Sequence, residues 1–206
     1  MIIHNKKIGI NYKPFIIAEL SGNHSGSLKK ALRLIKSAKK AGADAIKIQT
    51  YTPDDLTLDE NKKDFIINNK QSPWHNKKLY NLYKKAHTPL DWHKKIFSYA
   101  KELKLICFTS VFSEKRIKFL EKIGCPAYKI ASFENNHYPL IKAVLKTNKP
   151  VIISTGMMSL KEINKLAIFL KKYRKRNIAL LKCTSSYPSS LEESNVNTIS
   201  HLRKKY

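Results

Sequence analysis

Two lysines stand inside apolar stretches of the sequence, where an unpaired ammonium group is costly to bury. Lys47 interrupts AIKIQT and Lys129 interrupts AYKIAS. Each lysine could pair with a buried carboxylate such as Glu19, or extend its ammonium group to solvent at a strand end. The occurrence of two such lysines, both close to hydroxyl side chains, favours a different interpretation. It indicates a pocket for a small anion that carries several charges.

Further polar side chains lie near the carboxyl ends of the predicted strands. Parallel strands bring these ends to one edge of a sheet or barrel, where α/β proteins place their chemistry. The polar residues at these ends are Glu19, Gln49, Ser110, Ser132, Glu134, Ser154, Thr155, Lys182, Thr184, Ser185 and Tyr187. We therefore expect hydroxyl and carboxylate groups beside the two lysines.

The elements that must position these groups repeat one unit of apolar strand, polar turn and amphipathic helix. Strands are predicted at residues 15–20, 45–50, 105–110, 127–132, 150–155 and 178–184. Helices are predicted at residues 27–42, 74–86, 89–103, 113–123, 138–146, 159–173 and 191–205. Residues 2–12 are predicted to form a short hairpin or an N-terminal cap. Six parallel strand–helix units predict an α/β fold, either an open doubly wound sheet or an incomplete barrel.

The net charge of +25 would by itself suit a nucleic-acid partner. Only five of the 40 basic residues are arginine, the residue preferred for bidentate contacts with bases and phosphates. The lysines are spread over predicted helix faces, which favours solvated surfaces and no nucleic-acid partner. A positive field could also draw in a small anionic substrate. The sequence contains neither a GxGxxG motif nor a Walker loop, so a nucleotide-binding Rossmann fold is unsupported.

The expected compartment is the cytoplasm, with no membrane partner. No apolar run approaches the roughly 20 residues that cross a bilayer, and the first residues lack the pattern of a signal peptide. The three cysteines, Cys107, Cys125 and Cys183, form no C-x-x-C pair. They are expected to be reduced thiols.

Five motifs, in this order along the chain, resemble the catalytic barrel of the sialic acid synthase family, and within it the pseudaminic acid synthase branch. They are AELSGNHSGS, AGADAIKIQTYTPDDLTL, YKIASFENN, KPVIISTGM and KCTSSYP. The resemblance implies a TIM (β/α)8-type barrel, here truncated to about six strand–helix units. It also implies a transferase that condenses phosphoenolpyruvate with an amino-sugar aldehyde and releases phosphate, giving a nonulosonic acid.

The resemblance also implies roles for individual residues. Those implied to bind substrate are Lys47, Gln49, Ser110, Lys129, Ser132, Ser154, Ser185 and Tyr187. Lys47 and Lys129 correspond to lysines that bind the phosphate and carboxylate of phosphoenolpyruvate. Ser185 stands where sialic acid synthases have asparagine. Glu134 is the implied catalytic carboxylate that orients water or moves a proton, and Glu19 is implied to act on the side where the sugar binds.

The family also implies features that this sequence is not expected to supply. Its members bind Mn²⁺ or Mg²⁺ through two histidine motifs that follow the sixth strand–helix unit, and the sequence stops at SHLRKKY before them. Residues 1–206 are thus expected to form an incomplete barrel without metal ligands and without the family's C-terminal antifreeze-like domain. His24 is expected to stabilise its loop or to touch substrate. The complete enzyme is expected to be a homodimer, and this portion alone is expected to be inactive.

Two other functions fit the same residues. The first is a Schiff-base aldolase that uses Lys47, Lys129 or Lys182 as its nucleophile. The second is a fragment without catalytic activity that binds a small anion or a partner subunit.

Overall fold

The computed structural model describes residues 1–173 and 177–206. The chain divides into two compact units, one formed by Pro14–Cys125 and the other by Met1–Lys13 with Pro126–Tyr206. The strands are β1 Ile2–Ile3, β2 Lys6–Lys7, β3 Ile17–Glu19, β4 Ala45–Thr50, β5 Ile106–Val111, β6 Tyr128–Ile130, β7 Val151–Ser154 and β8 Ile178–Leu181. The helices are α1 Leu28–Lys40, α2 Leu79–Ala86, α3 Leu90–Glu102, α4 Ile117–Lys122, α5 Tyr138–Lys146, α6 Leu160–Lys171 and α7 Thr198–Lys205.

In the unit of residues 14–125, β3, β4 and β5 are parallel and pair in chain order. Side chains alternate between the two faces of β4. Ile46 and Ile48 lie in an apolar cluster with Ala31 and Ile35 of α1 and Ile96 of α3. The opposite face of β4 is therefore the one that carries Lys47 and Gln49.

Helix α1 follows the sequence prediction closely. The hydroxyl of Ser27 accepts a hydrogen bond from the backbone N–H of Lys30, which is the expected N-cap interaction. Gly42 follows the helix with a φ of +86°, a conformation that glycine adopts without strain. Local capping signals thus fix the two ends of the element that links β3 to β4.

Residues 51–78 are mostly irregular, and here a predicted helix starts in the wrong place. The structure begins α2 at Leu79, five residues after the predicted start at position 74. Ile66 forms an antiparallel bridge with Lys78, and Ile67 exchanges backbone hydrogen bonds with the segment 76–77. Since this pairing uses the backbone of residues 76–78, the helix can begin only after it.

An ion pair ties the loop after β4 to the loop after β5. The guanidinium group of Arg116 donates to both carboxylate oxygens of Asp55, over 2.6 and 3.2 Å, and to the hydroxyl of Thr52 over 2.9 Å. Burial acts to raise the pKa of the Asp55 carboxyl, but the hydrogen bonds from Arg116 and Thr52 outweigh it, and the pKa is lowered. The two loops at the carboxyl ends of neighbouring strands are therefore cross-linked.

A buried chain of hydrogen bonds lies next to the same strand ends. The hydroxyl of Thr50 is 2.8 Å from Nε2 of His93 and 2.7 Å from the hydroxyl of Thr109. Nδ1 of His93 is 3.0 Å from the carbonyl oxygen of Pro89, so Nδ1 carries the proton and Nε2 accepts from Thr50 when the ring is neutral. Burial lowers the pKa of His93 and favours that neutral form.

In the unit of residues 1–13 and 126–206, β6, β7 and β8 are parallel and pair in chain order. A short antiparallel hairpin of β1 and β2 confirms the prediction for the N-terminal residues. Two predicted elements of this unit differ from the structure by more than two residues. Strand β8 ends at Leu181 and not at 184, and a left-handed residue, Asn195, separates a short 3-10 turn at Glu192–Ser194 from α7. The predicted helix at 191–205 is therefore interrupted.

The predicted α/β architecture is confirmed, because strand, turn and helix alternate in both units with parallel strands throughout the repeat. Within residues 1–173 and 177–206, no helix has the length and apolar character needed to cross a membrane.

Candidate functional site

Lys47 is the buried cation of the unit 14–125. It lies on β4, its residue is only 2% exposed, and its Nζ donates to the hydroxyl of Ser110 on β5 over 2.9 Å. Nζ is also 3.3 Å from a carboxylate oxygen of Glu19 at the end of β3. These contacts agree with the expectation that a buried lysine ammonium group is paired with polar groups. The three side chains lie on the neighbouring strands β3, β4 and β5 and contact one another through Lys47.

The carboxylate of Glu19 differs from Lys47 in exposure. The Glu19 side chain is about half exposed, at 53%, so solvent and a ligand can reach it. Gln49 lies two residues beyond Lys47 on β4 and therefore on the same face, and it pairs in register with Ser110. This face combines one buried cation with a carboxylate, an amide and a hydroxyl group.

His24 belongs to the loop that follows β3 and stabilises that loop. It is fully buried, and its Nδ1 accepts a hydrogen bond from the backbone N–H of Gly26 over 3.1 Å. Its ring also packs edge-on against Trp92, with centroids 5.4 Å apart. Of the two roles considered from the sequence, these contacts support the one in the loop.

Two serines lie close together in the unit that contains residues 126–206, and a third ends strand β7. Ser132 is in the 3-10 turn Ser132–Glu134 after β6, Ser154 ends β7, and Ser185 is in the loop after β8. A Cβ placed on Gly156 would lie 2.3 Å from the Ser185 hydroxyl oxygen and 2.6 Å from that of Ser132. The hydroxyl groups of two separate loops thus converge on the backbone of residue 156.

Two residues near these serines were missed as functional candidates. The thiol of Cys183 donates to the hydroxyl of Ser154 over 3.3 Å. Asn135 is buried, and its amide nitrogen donates to the carbonyl oxygens of Ser154 and Gly156 over 3.3 and 2.9 Å. The sequence placed both residues in the quoted motifs YKIASFENN and KCTSSYP, but it gave no sign of these contacts.

Glu134 has the chemistry expected of a group that moves a proton near neutral pH. Burial raises the pKa of its carboxyl from 4.5 to about 7, even though the positive charge of Lys129 acts to lower it. Its Oε2 is buried and makes no hydrogen bond within the described residues. A carboxyl group with such a pKa can either hold or release a proton at physiological pH.

Two of the candidate residues are exposed or bound to other groups. The Tyr187 residue is 73% exposed and so is largely in solvent. Nζ of Lys182 donates to the hydroxyl of Thr184 over 2.6 Å and approaches the carbonyl oxygen of Glu193 at 3.4 Å. The Lys182 ammonium group thus binds residues of the segment that follows β8.

The side chains that the structure describes do not form a metal site. Over residues 1–173 and 177–206, no group of three or more histidine, cysteine, aspartate or glutamate side chains could bind a metal ion. The Mn²⁺ or Mg²⁺ that the resemblance implies therefore does not fit the side chains described.

Comparison with known proteins assigns the chain to a family. Residues 34–206 match the model of the NeuB family. The chain belongs to the NeuB family. It is 48% identical over 194 residues to a pseudaminic acid synthase of Campylobacter jejuni, an alignment that covers 94% of this chain and 56% of the relative. A pseudaminic acid synthase of Helicobacter pylori is 42% identical over 183 residues, covering 89% of this chain and 53% of the relative.

The fold is shared with a solved NeuB-type structure. The N-acetylneuraminic acid synthetase of Leptospira borgpetersenii, crystallised in complex with citrate, superposes with a TM-score of 0.86 at 32% identity, covering all of this chain and 66% of that one. The TIM-barrel type of α/β fold is thereby confirmed, and so is the likeness to pseudaminic acid synthases. The chain spans about half the length of the curated relatives it matches.

Proposed function

We propose that the chain carries the phosphoenolpyruvate-binding part of a nonulosonic acid synthase of the pseudaminic acid synthase type. The observation that carries the proposal is the buried ammonium group of Lys47, held by Glu19 and Ser110 at the carboxyl ends of three parallel strands. Lys47 is available to an anion because the Glu19 carboxylate is half exposed and can be replaced as its partner. A phosphate or carboxylate group would then supply the negative charge.

The serines of the second unit support the same function. Ser132, Ser154 and Ser185 would donate hydrogen bonds to anionic oxygens, with Lys129 nearby on β6 supplying charge. The Leptospira relative was solved with citrate, a carboxylate with several charges. We infer that these residues of this chain bind a small anion, and that phosphoenolpyruvate is the anion bound here.

The proposed reaction joins the methylene carbon of phosphoenolpyruvate to the aldehyde carbon of an amino sugar. Water is consumed and phosphate is released, which makes the enzyme a transferase that forms a carbon–carbon bond. Fixed cations and hydroxyl donors stabilise the charges that develop on phosphate, carboxylate and alkoxide oxygens. Glu134, with a pKa of about 7, would orient the water or carry the proton. Glu19, Gln49 and Tyr187 are proposed to face the sugar.

The complete activity is proposed for the whole protein and not for these 206 residues. The chain spans about half the length of its curated relatives. A divalent metal would polarise the aldehyde when bound, and its ligands are not found among the side chains described. We expect the complete enzyme to be a homodimer in the cytoplasm. We expect the 206-residue chain by itself to bind phosphoenolpyruvate without turnover.

Calorimetry with phosphoenolpyruvate tests the proposal on the chain and its Lys47→Met variant. Loss of a charged hydrogen-bond partner should weaken binding about 10- to 100-fold. Lys94→Met is the matched control, because it removes one positive charge from an exposed position on α3. The control should change affinity by less than about twofold in physiological salt.

Three results would contradict the proposal. The wild-type chain could fail to bind phosphoenolpyruvate, or Lys47→Met could bind as well as Lys94→Met. In the third, borohydride with pyruvate would trap a covalent adduct on a lysine, which is the result expected of a Schiff-base aldolase. Phosphate release by the isolated chain would separately overturn the expectation that this portion is inactive.

A further inference from the structure

Asn135 links the turn that carries Ser132 and Glu134 to the end of strand β7. Its residue is 5% exposed, and its amide nitrogen lies 2.9 Å from the carbonyl oxygen of Gly156 and 3.3 Å from that of Ser154. A side-chain amide nitrogen has two hydrogens, so each hydrogen serves one carbonyl. Both neighbours are acceptors, which fixes the nitrogen end of the amide toward β7.

Gly156 supplies the space into which the two hydroxyl groups converge. Its backbone lies outside the left-handed region, so conformation alone does not require glycine there. The lack of space requires glycine, because a methyl group there would lie 2.3 Å from the Ser185 hydroxyl oxygen and 2.6 Å from the Ser132 hydroxyl oxygen. Real Cβ atoms do not approach other atoms so closely, and one or both hydroxyl groups would have to move.

We propose that Asn135 is the positioning residue of the anion-binding serines and that Gly156 keeps their hydroxyl groups together. Asn135 touches the backbone of Ser154 and Gly156, and its own backbone is continuous with the turn of Ser132 and Glu134. It therefore sets where Ser132 stands relative to Ser154 without contacting the ligand itself. The identity of the anion as phosphoenolpyruvate rests on the function proposed above.

The chemistry of the contact requires an amide at position 135. Aspartate has nearly the same shape but presents only acceptor oxygens when ionised, so its carboxylate would face two carbonyl oxygens. Alanine would leave both carbonyls without their side-chain donor in a buried place. Asn135→Asp should therefore weaken anion binding more than Asn135→Ala does. Loss of side-chain volume alone would give the opposite order, because alanine is the smaller residue.

Binding of phosphoenolpyruvate by calorimetry is the first measurement. We expect Asn135→Ala to weaken binding about tenfold, and Asn135→Asp to weaken it more. Asn136→Ala is the matched control, since Asn136 is the neighbouring asparagine and is exposed. It should bind within about twofold of wild type. Gly156→Ala should also weaken binding, because it displaces the serine hydroxyl groups, although it removes no hydrogen-bonding side chain.

The pKa of Glu134 is the second measurement, and it needs no ligand. Carboxyl NMR titration should give a value of about 7 in the wild type and in Asn136→Ala. In Asn135→Ala the turn Ser132–Glu134 loses its hydrogen bonds to the end of β7, and water reaches Glu134. The pKa of Glu134 should therefore fall toward its ordinary value. A variant that only lost stability would keep the wild-type pKa in its folded fraction.

The two measurements separate the possible failures. If the wild type does not bind phosphoenolpyruvate, the proposed function fails, and the Glu134 titration alone decides on Asn135. The inference is overturned if folded Asn135→Ala keeps the wild-type Glu134 pKa, or if Asn135→Asp binds phosphoenolpyruvate as tightly as Asn136→Ala. If neither Asn135 variant folds, Gly156→Ala decides, and wild-type affinity in that variant would refute the proposal.

Discussion

Replacement of Glu134 by glutamine should make the protein more stable at high pH relative to the wild type. Burial raises the pKa of this carboxyl from 4.5 to about 7, so the folded state holds its proton more tightly than the unfolded state does. Its contribution to stability is fully present below the unfolded value of 4.5, and it is lost as the pH rises through the folded value of about 7. The wild type therefore loses stability over this window, and the glutamine variant does not.

The size of the effect follows from the two pKa values. Between pH 5 and pH 8 the wild type should lose about 2.5 kcal/mol of its free energy of unfolding through this one group. Glutamine does not titrate, and the cost of burying its amide is the same at both pH values. The difference between the pH 8 and pH 5 measurements thus isolates the proton, whatever the substitution does to packing.

Urea unfolding at pH 5 and pH 8 measures this difference. Glu60→Gln is the control, because it removes one carboxylate from an exposed loop position. The wild type and the control should show the same dependence on pH, and Glu134→Gln should deviate from both by about 2.5 kcal/mol in favour of pH 8. The reasoning is refuted if Glu134→Gln follows the control, or if it gains stability toward pH 5.

Two further predictions concern other contacts. Arg116→Met should lower the free energy of unfolding by about 3 kcal/mol, because it leaves the Asp55 carboxylate buried without its partner, and Asp55→Asn in the same chain should recover part of that loss in urea unfolding. No recovery in the double variant would contradict the pairing. Iodoacetamide should label Cys183 well before the buried Cys107 and Cys125, with phosphoenolpyruvate slowing the reaction, as mass spectrometry of peptides can follow. Equal labelling of all three thiols would argue against the placement of Cys183.

The elements that could be predicted from the sequence are those fixed by local chemistry. Lys47 was identifiable because a lysine within an apolar strand must find a partner, and alternation along β4 placed Gln49 on the same face. Ser27 and Gly42 marked the ends of α1 because their capping roles depend on neighbours a few residues away. Repetition of the strand–helix unit then predicted the α/β class.

Contacts between residues far apart in sequence could not be predicted in this way. An asparagine after a turn is common, and the role of Asn135 depends on carbonyl oxygens about 20 positions later along the chain. The start of α2 was wrong for a similar reason, since the bridge from Ile66 to Lys78 competes with the helix and leaves no pattern at position 74. Tyr187 shows the opposite case, because it lies in a recognisable motif but extends into solvent.

The ion pair between Asp55 and Arg116 limits how this chain can be recombined with its relatives. The two residues are in loops that follow different strands, and the guanidinium group also holds Thr52. A chimaera that takes only the loop after β4, or only the loop after β5, from a relative with another pairing would inherit half of the interaction. These two loops should therefore be exchanged together, as one block of sequence variation.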